Sequence, residues 1–551
     1  MTKTAGAGVS RTHTRAGASC STYIIRLAAM VSVLAASAAW ATTLSITILD
    51  ETGAPCPARA YLTDSKDNTF FDPQSIQYKK LESHSGAREH HSVPVHGVLN
   101  YEIPGGIYSL TIEKGKEYLP IIESLDIPAS GRVERTFHLK RWIQMARLGW
   151  FSGDMHVHAL LPDVATLMQA EDLNIALPIT VWHIDTAEKR DTNLSSFLEK
   201  ADQNGVIQVG PDSFFTVINE ELETYSSALL ISRLGRAPLA LDYPMAATAE
   251  KARQRGAIVN SEKATSLELP AIVAASAGDF VGVANNHFWR SGCYLGPWGS
   301  WPGLLAHHYP ETCAGFANAG FDLYYALLNT GFPLKLSAGS AYGVHPVPMG
   351  WARIYAHVEG KFDVDSWFAA LKKGRSFVTT GPMVLLKANG LEPGQDYKSE
   401  HFPLTVKIDL TMLSAIPIDH AEIVVNGTVQ SIRMRPDRKG FTYRGSARLV
   451  LKDSSWVVAR WVGKQGESTG LAHTSPIYFW KGESPIPVSR PDADYLARRI
   501  QSLIEEVKSG KSEVGAGPTT MIVDSPALKE ETLRRLNQSL DYFRLEAQPA
   551  H

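Results

Sequence analysis

The central segment, residues 147–388, constrains the fold most, because apolar strand-like runs alternate there with helical stretches. The strand-like runs include residues 174–182, 256–259 and 280–284, and the helical stretches include residues 162–173 and 245–255. Strands that are separated by helices pair in parallel, with the helices covering the sheet. A segment of this length with that alternation predicts a barrel-like α/β domain.

Both flanks of this segment are rich in short alternating strands. In residues 42–146 they are separated by Gly/Pro turns, which predicts a β-sandwich. Its Pro-Gly-Gly-x-Tyr run, residues 104–108, resembles a strand of carboxypeptidase-regulatory-like sandwiches. Residues 389–485 predict a second β-domain, and residues 486–551 predict a short helical tail with two amphipathic stripes. The 551-residue chain is therefore expected to be multidomain, α/β plus all-β.

The first 41 residues have the pattern of a signal peptide. Three arginines precede an apolar run over residues 27–39, and Ala39-Trp40-Ala41 supplies a small-x-small cleavage pattern. The run is short for a membrane span, although a retained anchor is the alternative. We therefore predict a periplasmic or secreted protein with no integral membrane span after cleavage near Ala41.

Charge and cysteine content narrow the possible partners and the environment. The formal net charge is −2 and there is no basic excess, so nucleic acid is not expected as a partner. Cys293 and Cys313 bracket one loop, and the sequence is compatible with either a disulfide or two unlinked thiols. Cys20 leaves with the signal peptide, and Cys56 is expected to be a buried free thiol.

The first strand of the central segment carries a His-x-His pair. Side chains alternate along a strand, so His156 and His158 emerge on one face while Met155 and Val157 point the other way. Two imidazoles projected from one strand are half of a metal site.

Further ligand types follow the later apolar runs, where the carboxyl ends of barrel strands place functional groups. These residues are His183, Glu220 or Glu221, Glu262 and His287. Nitrogen and carboxylate ligands suit Zn²⁺, Mn²⁺ or Fe better than Ca²⁺ or Mg²⁺. We therefore expect a divalent transition metal.

The Gly153-Asp-Met-His-Val-His158 motif resembles the first motif of the PHP (polymerase and histidinol phosphatase) superfamily, and more closely its CehA/McbA-like metallohydrolase branch. A second stretch, residues 337–382, includes Gly374-Arg375-Ser-Phe-Val-Thr-Thr-Gly-Pro382 and resembles the end of that branch's metal domain. The resemblance covers roughly residues 42–550.

This resemblance implies a distorted seven-stranded (β/α)7 barrel that performs hydrolysis with bound metal. His156 and His158 match the first motif, and His183 falls at the histidine of the second. Glu220 is the preferred bridging carboxylate, with Glu221 its rival. Ala341 stands where the superfamily usually has an aspartate ligand, so we expect between one and three ions.

Several further residues have predicted roles, each with a structural alternative. Asp154 orients a ligand histidine or serves as a turn residue. Lys263 holds an anionic substrate group or forms a surface ion pair with Glu262. Arg353 clamps an anion or forms a structural salt bridge, the role favoured for Arg375.

An aromatic, Gly/Pro-rich loop over residues 288–309 is predicted to cover the substrate or, alternatively, to pack on a neighbouring domain. The predicted substrate-loop residues are Asn286, just before this loop, and Trp289, Trp298 and Trp301 within it.

These features predict an exported, metal-dependent hydrolase that uses metal-activated water to cleave a phosphoester or a carboxyl or carbamate ester. The substrate is expected to be a small-molecule or oligomeric ester. The rival prediction is a catalytically impaired barrel that binds a carbohydrate or polymer in the cell envelope. A purely structural envelope protein is a third, weaker alternative.

Overall fold

The fold is mixed α/β and consists mostly of β-strand. The computed structural model describes residues 41–83, 85–184, 187–224, 227–240, 244–275, 278–295, 304–465, 468–510 and 525–546. Several sheets carry helices in the central segment, which agrees with the coarse prediction of a multidomain α/β plus β chain. The predicted signal peptide lies outside the described residues, except for Ala41.

Two larger sheets and the β8–β11 pair form the N-terminal region. Its strands are β1 (Ala41–Leu49), β2 (Arg59–Asp64), β3 (Thr69–Phe70), β4 (Ile76–Leu81), β5 (Arg88–Val93), β6 (Val98–Pro104), β7 (Gly106–Glu113), β8 (Tyr118–Leu119), β9 (Ile121–Ile127), β10 (Gly131–His138) and β11 (Lys140–Arg141). One sheet has the order β10-β1-β6 and the other the order β4-β5-β2-β7-β9. Apolar side chains from both sheets meet in one core that also holds the free thiol Cys56, as expected.

The central region contains fifteen described strands and most of the helices. Its strands are β12 (Trp150–Val157), β13 (Ile175–Pro178), β14 (Val181–Ile184), β15 (Ala187–Arg190), β16 (Val206–Gly210), β17 (Ser213–Thr216), β18 (Glu220–Thr224), β19 (Ser227–Ser232), β20 (Ile258–Ser261), β21 (Phe280–Ala284), β22 (Phe288–Trp289), β23 (Gly292–Cys293), β24 (Lys335–Ala338), β25 (Arg353–His357) and β26 (Ser376–Thr379). Its helices are α1 (Leu161–Ala170), α2 (Leu194–Lys200), α3 (Met245–Gln254), α4 (Leu269–Ala274), α5 (Cys313–Leu328) and α6 (Val364–Lys372). The helices predicted near residues 162–173 and 245–255 correspond to α1 and α3.

Hydrogen bonding divides the central strands between two larger sheets and the β22–β23 pair. Strand β12 pairs in parallel with β13 and antiparallel with β25. The second sheet has the order β15-β14-β18-β19-β20-β21-β24. The two sheets approach each other where Tyr342, just after β24, bridges to Val157 at the end of β12. The seven-stranded barrel stays a prediction, because these strands do not form one hydrogen-bonded sheet.

Two details of the central strands differ from the expected pattern. The run over residues 174–182 is broken into β13 and β14, which belong to different sheets. Glu220 and Glu221, which are expected to follow an apolar strand, lie instead at the start of strand β18.

The C-terminal β-region continues the first central sheet. Its strands are β27 (Met383–Ala388), β28 (Asp396–Ser399), β29 (Leu404–Leu413), β30 (His420–Val425), β31 (Thr428–Arg433), β32 (Arg435–Pro436), β33 (Thr442–Leu451), β34 (Ser455–Gln465), β35 (Ser468–Thr474) and β36 (Ile477–Lys481). Strand β26 pairs with β35, so a single sheet runs from β16 to β31 across the predicted domain boundary. The two regions are therefore joined by backbone hydrogen bonds.

Two tail helices cover the central region, as the amphipathic stripes predicted. They are α7 (Arg490–Ser509) and α8 (Pro526–Glu546). The buried Arg499 of α7 donates hydrogen bonds to the carbonyl oxygens of Leu304, Thr265 and Ser266. No described helix combines the length and the apolar character needed to cross a membrane.

The N-terminal region docks on the central region through buried charges. The Arg59 guanidinium donates to the Glu171 carboxylate, and both side chains are only 4% exposed. Arg59 and Arg290 also donate to Glu113, in each case with a shortest distance of 2.8 Å. Removing one partner of such a buried pair leaves an uncompensated charge, so this contact fixes how the two regions meet.

Cys293 and Cys313 form a disulfide between β23 and the first residue of α5. The bond closes a loop with a sequence separation of 20 residues. We expect the Cys293→Ser/Cys313→Ser variant to lose about 3 kcal/mol of unfolding free energy, because the open loop gains chain entropy when it unfolds. Urea unfolding with and without a reductant measures this difference, and reduction of the parent should abolish it. If the parent and the variant still differed by the same unfolding free energy under reducing conditions, the disulfide would not be the cause of the difference.

Candidate metal centre

The site begins with the two histidines at the end of β12. Met155 and Val157 point into apolar cores, so the intervening residues leave both imidazoles on the other face. The Nε2 atoms of His156 and His158 lie 2.9 Å apart. His156 is 1% exposed, and the side chain of His158 is 10% exposed. The predicted His-x-His geometry is therefore present in the structure.

Glu221 completes a group of three candidate ligands. Its Oε2 atom lies 3.0 Å from Nε2 of His158 and 3.3 Å from Nε2 of His156. One ligand atom from each residue falls within 4.8 Å of the other two. Burial alone raises the pKa of Glu221, but the two imidazoles hold that pKa well below its usual range. Glu221 is therefore a carboxylate at neutral pH.

Glu220 does not join the histidine pair. Because successive residues of β18 point to opposite faces, Glu220 turns away from the site that Glu221 faces. Its Oε1 atom accepts a hydrogen bond from the backbone N–H of Leu239, and its Oε2 atom lies 3.7 Å from Nε2 of His183. The structure thus places the predicted ligands His183 and Glu220 together, apart from the group of three, and favours Glu221 over Glu220.

Glu262 and Lys263 lie beside His156 just after β20. The Oε1 atom of Glu262 is 3.3 Å from Nδ1 of His156, the ring nitrogen opposite the one that faces His158 and Glu221. Glu262 was expected to be a metal ligand. The structure instead places it on the Nδ1 side of His156, where it is positioned to orient the imidazole. Lys263 donates to Glu262, and burial lowers the pKa of its ammonium group to about 8.

Asp154 clamps the backbone around the site. Its carboxylate accepts hydrogen bonds from the backbone N–H groups of His156, Ser340 and Gly350, and from the Ser340 hydroxyl. The expected bond to a ligand imidazole is absent from the described contacts of Asp154. Its role is to hold β12 against the loop after β24.

That loop wraps closely around the histidine strand. The Ala341 N–H donates to the His156 carbonyl, and the His158 N–H donates to the Tyr342 carbonyl, at 2.7 and 2.6 Å. A Cβ atom at Gly339 would lie 2.4 Å from Cβ of His156, so only glycine allows this approach. Ala341 has a φ of 49°, and its side chain supplies no ligand atom. At this position the loop contributes only a backbone hydrogen bond to His156.

A second pair of histidines lies on the aromatic side of the site. The predicted ligand His287 is buried, stacks on Phe316 and has its ring centroid 6.3 Å from that of His345. It is not a member of the group of three. Burial lowers the pKa of His345 to about 3, and the charges of Lys263, His156 and His158 act in the same direction. His345 therefore adds a neutral imidazole, on a residue to which the sequence motifs assign no role.

The described part of the aromatic loop packs on this second pair. Trp289 is fully buried, donates from Nε1 to the carbonyl oxygen of Asn286 and lies 5.9 Å from the His345 ring. Asn286 is buried as well. Trp298 and Trp301 lie outside the described residues. Trp182, which had no predicted role, has its ring centroid 4.5 Å from that of His158 and donates to Glu223.

The arginines have structural partners. Arg353 is fully buried, and its Nε and Nη2 atoms donate to the carbonyl oxygens of Gly350 and Glu171. The predicted anion clamp at Arg353 has no counterpart in these contacts. Arg375 forms the favoured structural ion pair, with Glu359 at 2.6 Å.

The residues of the centre fit a cation. The Oε2 atom of Glu221, which faces the Nε2 atoms of His156 and His158, is buried and has no hydrogen-bond partner in the described part of the chain. Buried polar atoms that lack partners are costly, and a bound cation satisfies a carboxylate and two imidazoles at once. The donor set of two nitrogens and one oxygen suits a divalent transition metal.

Comparisons with known proteins do not assign the chain to a family. No family model matches the chain, and no curated protein matches it significantly.

Proposed function

We propose that the protein is an exported, metal-dependent hydrolase whose ion is held by His156, His158 and Glu221. The observation that carries the proposal is the convergence of two imidazole nitrogens and one carboxylate oxygen within 4.8 Å in a buried setting. Three protein ligands are the pattern of catalytic zinc sites, which keep one position open, whereas structural sites have four.

The surrounding residues have separate tasks in this proposal. Glu262 fixes the His156 ring from its Nδ1 side, and Asp154 fixes the backbone that carries it. Lys263 places a positive charge close to the site, on the side of Glu262. When bound, a divalent transition-metal ion lowers the pKa of water and polarises an ester oxygen. Burial of the ligands strengthens each of these electrostatic effects.

The class of reaction rests on the motif resemblance. The Gly-Asp-x-His-x-His motif and residues 337–382 resemble the CehA/McbA-like branch of the PHP superfamily, whose members are hydrolases. The first motif supplies two of the three candidate ligands, and the second stretch begins in the loop that wraps β12. The scissile bond is a phosphoester or a carboxyl or carbamate ester. The disulfide supports the proposed export, since such bonds persist in oxidising compartments.

Turnover of generic esters tests this function. Purified protein loaded separately with Zn²⁺, Mn²⁺ or Fe²⁺ should hydrolyse p-nitrophenyl phosphate or p-nitrophenyl acetate above the rate of the free metal ion. A chelator should abolish the activity, and the same metal should restore it. Metal binding without turnover of either ester class would contradict the hydrolase proposal.

That outcome would favour the second candidate, a barrel that binds a carbohydrate or polymer. The observation behind this candidate is Ala341, which stands at the place of an expected carboxylate ligand and contributes only its backbone.

A further inference from the structure

The N-terminal β-region reaches the candidate metal centre through the hairpin of β4 and β5. The Tyr78 hydroxyl of β4 donates to the His345 carbonyl at 2.6 Å and accepts from the Gly343 N–H at 2.8 Å. The Tyr78 ring also stacks on Tyr342, with centroids 4.2 Å apart. Because Tyr342 accepts from the backbone of His158, a single side chain separates this hairpin from a candidate ligand.

The turn side of the same hairpin contacts the aromatic loop. Ala87 packs against the cluster that contains Trp289 and Trp351, and the Ser291 hydroxyl donates to the Arg88 carbonyl at 3.5 Å. The hairpin therefore touches the loop after β24 and the loop after β21, which are two sides of the centre. It forms a wall beside the histidines.

Lys80 is a half-buried charged residue on the face of this wall that contacts the loop after β24. Side chains alternate along β4, so Lys80 shares the face of the buried Tyr78, whereas the exposed Lys79 points the other way. No carboxylate of a described residue lies within 4 Å of the Lys80 ammonium group. Its cross-strand neighbour Glu89 is engaged by Tyr61 and His91.

We infer that the β4–β5 hairpin is part of the substrate site and that Lys80, on the Tyr78 face of this hairpin, binds an anionic group of the substrate. This inference rests on the proposed metal-dependent function, and it assigns the N-terminal region a direct part in recognition. A lysine at the edge of a metal centre attracts a phosphate or carboxylate as a point charge. The substrate class is therefore an ester that carries a negative charge.

Phosphate binding to the zinc-loaded protein tests the inference. Inorganic phosphate is titrated into full-length parent protein, Lys80→Met, Lys80→Arg and the matched control Lys79→Met by isothermal calorimetry. We expect Lys80→Met to weaken phosphate binding about tenfold, because one charge-assisted contact is lost. Lys80→Arg and Lys79→Met should stay within about twofold of the parent, since both keep a cation at position 80. Zinc content, measured on the same samples, should be equal in all four proteins.

The outcomes separate this inference from the proposed function. Equal phosphate affinities in Lys80→Met and the parent, or equal losses in Lys80→Met and Lys79→Met, would overturn the role of Lys80 while zinc binding stands. A zinc-loaded parent that binds no phosphate would overturn it as well. A parent that binds no zinc would refute the proposed function, and this inference with it.

Discussion

Replacing His156 and His158 together by alanine is expected to remove the bound transition metal. The parent should retain at least one ion per chain after desalting, and the double variant should retain less than about a tenth of that amount. The variant loses both imidazole nitrogens and keeps only the carboxylate of Glu221. Because changes in residues that merely support a ligand already cost about 10- to 100-fold in affinity, the loss of two ligands should exceed a hundredfold. Elemental analysis by mass spectrometry measures the content.

A histidine outside the centre provides the control for this experiment. His420 lies on β30 with an exposed side chain, and its replacement by alanine should leave metal content unchanged. Circular dichroism should show that all variants keep their secondary structure. Retention of a full equivalent of metal by the double variant would mean that the ion binds elsewhere, and the candidate centre would be refuted.

The sequence predicted the core of this centre because one strand carries it. Alternation along β12 places His156 and His158 on one face without any knowledge of the neighbouring strands. The choice between Glu220 and Glu221 was different, because two adjacent residues of a strand face opposite sides. Only the pairing of β18 with β14 and β19 decides which of them faces the histidines.

His345 shows why loop residues escape such reasoning. It lies four residues after Ala341, so its spacing does not match the expected ligand position. In the structure Gly343 has a φ of 102°, and Tyr342 and His345 form a bridge, so the chain reverses there. No periodicity in the sequence encodes this reversal. The glycine at position 343 is a local signal of the reversal, because its φ lies in the left-handed region that glycine favours.

The sheet that joins the central and C-terminal regions also could not be predicted from local sequence patterns. The paired residues of strands β26 and β35 lie more than ninety positions apart in the sequence, so their pairing depends on tertiary packing and leaves no local pattern. The strands themselves were predictable from alternation, and so were the tail helices. Their partners across the predicted boundary at residues 388 and 389 were not. The contact between the β4–β5 hairpin and the centre was missed for this reason too.

Glu221→Gln is expected to lower the affinity for the metal by about a hundredfold, whereas Glu220→Gln should change it by less than about threefold. The two variants differ only in which face of β18 loses a negative charge. At Glu221 the lost carboxylate lies 3.0 Å from the His158 nitrogen. At Glu220 it lies 3.7 Å from the His183 nitrogen, outside the group of three ligands found among the described residues.

Competition with a chromophoric zinc chelator measures both affinities under identical conditions. Because glutamine has nearly the same volume as glutamate, packing is preserved and the difference reports the charge at each position. Both variants should therefore unfold at similar urea concentrations once the metal is removed. Equal losses of affinity in the two variants would contradict the assignment of Glu221, and not Glu220, as the metal ligand. A larger loss in Glu220→Gln would move the centre to His183 and Glu220, the pair that the motif resemblance had favoured.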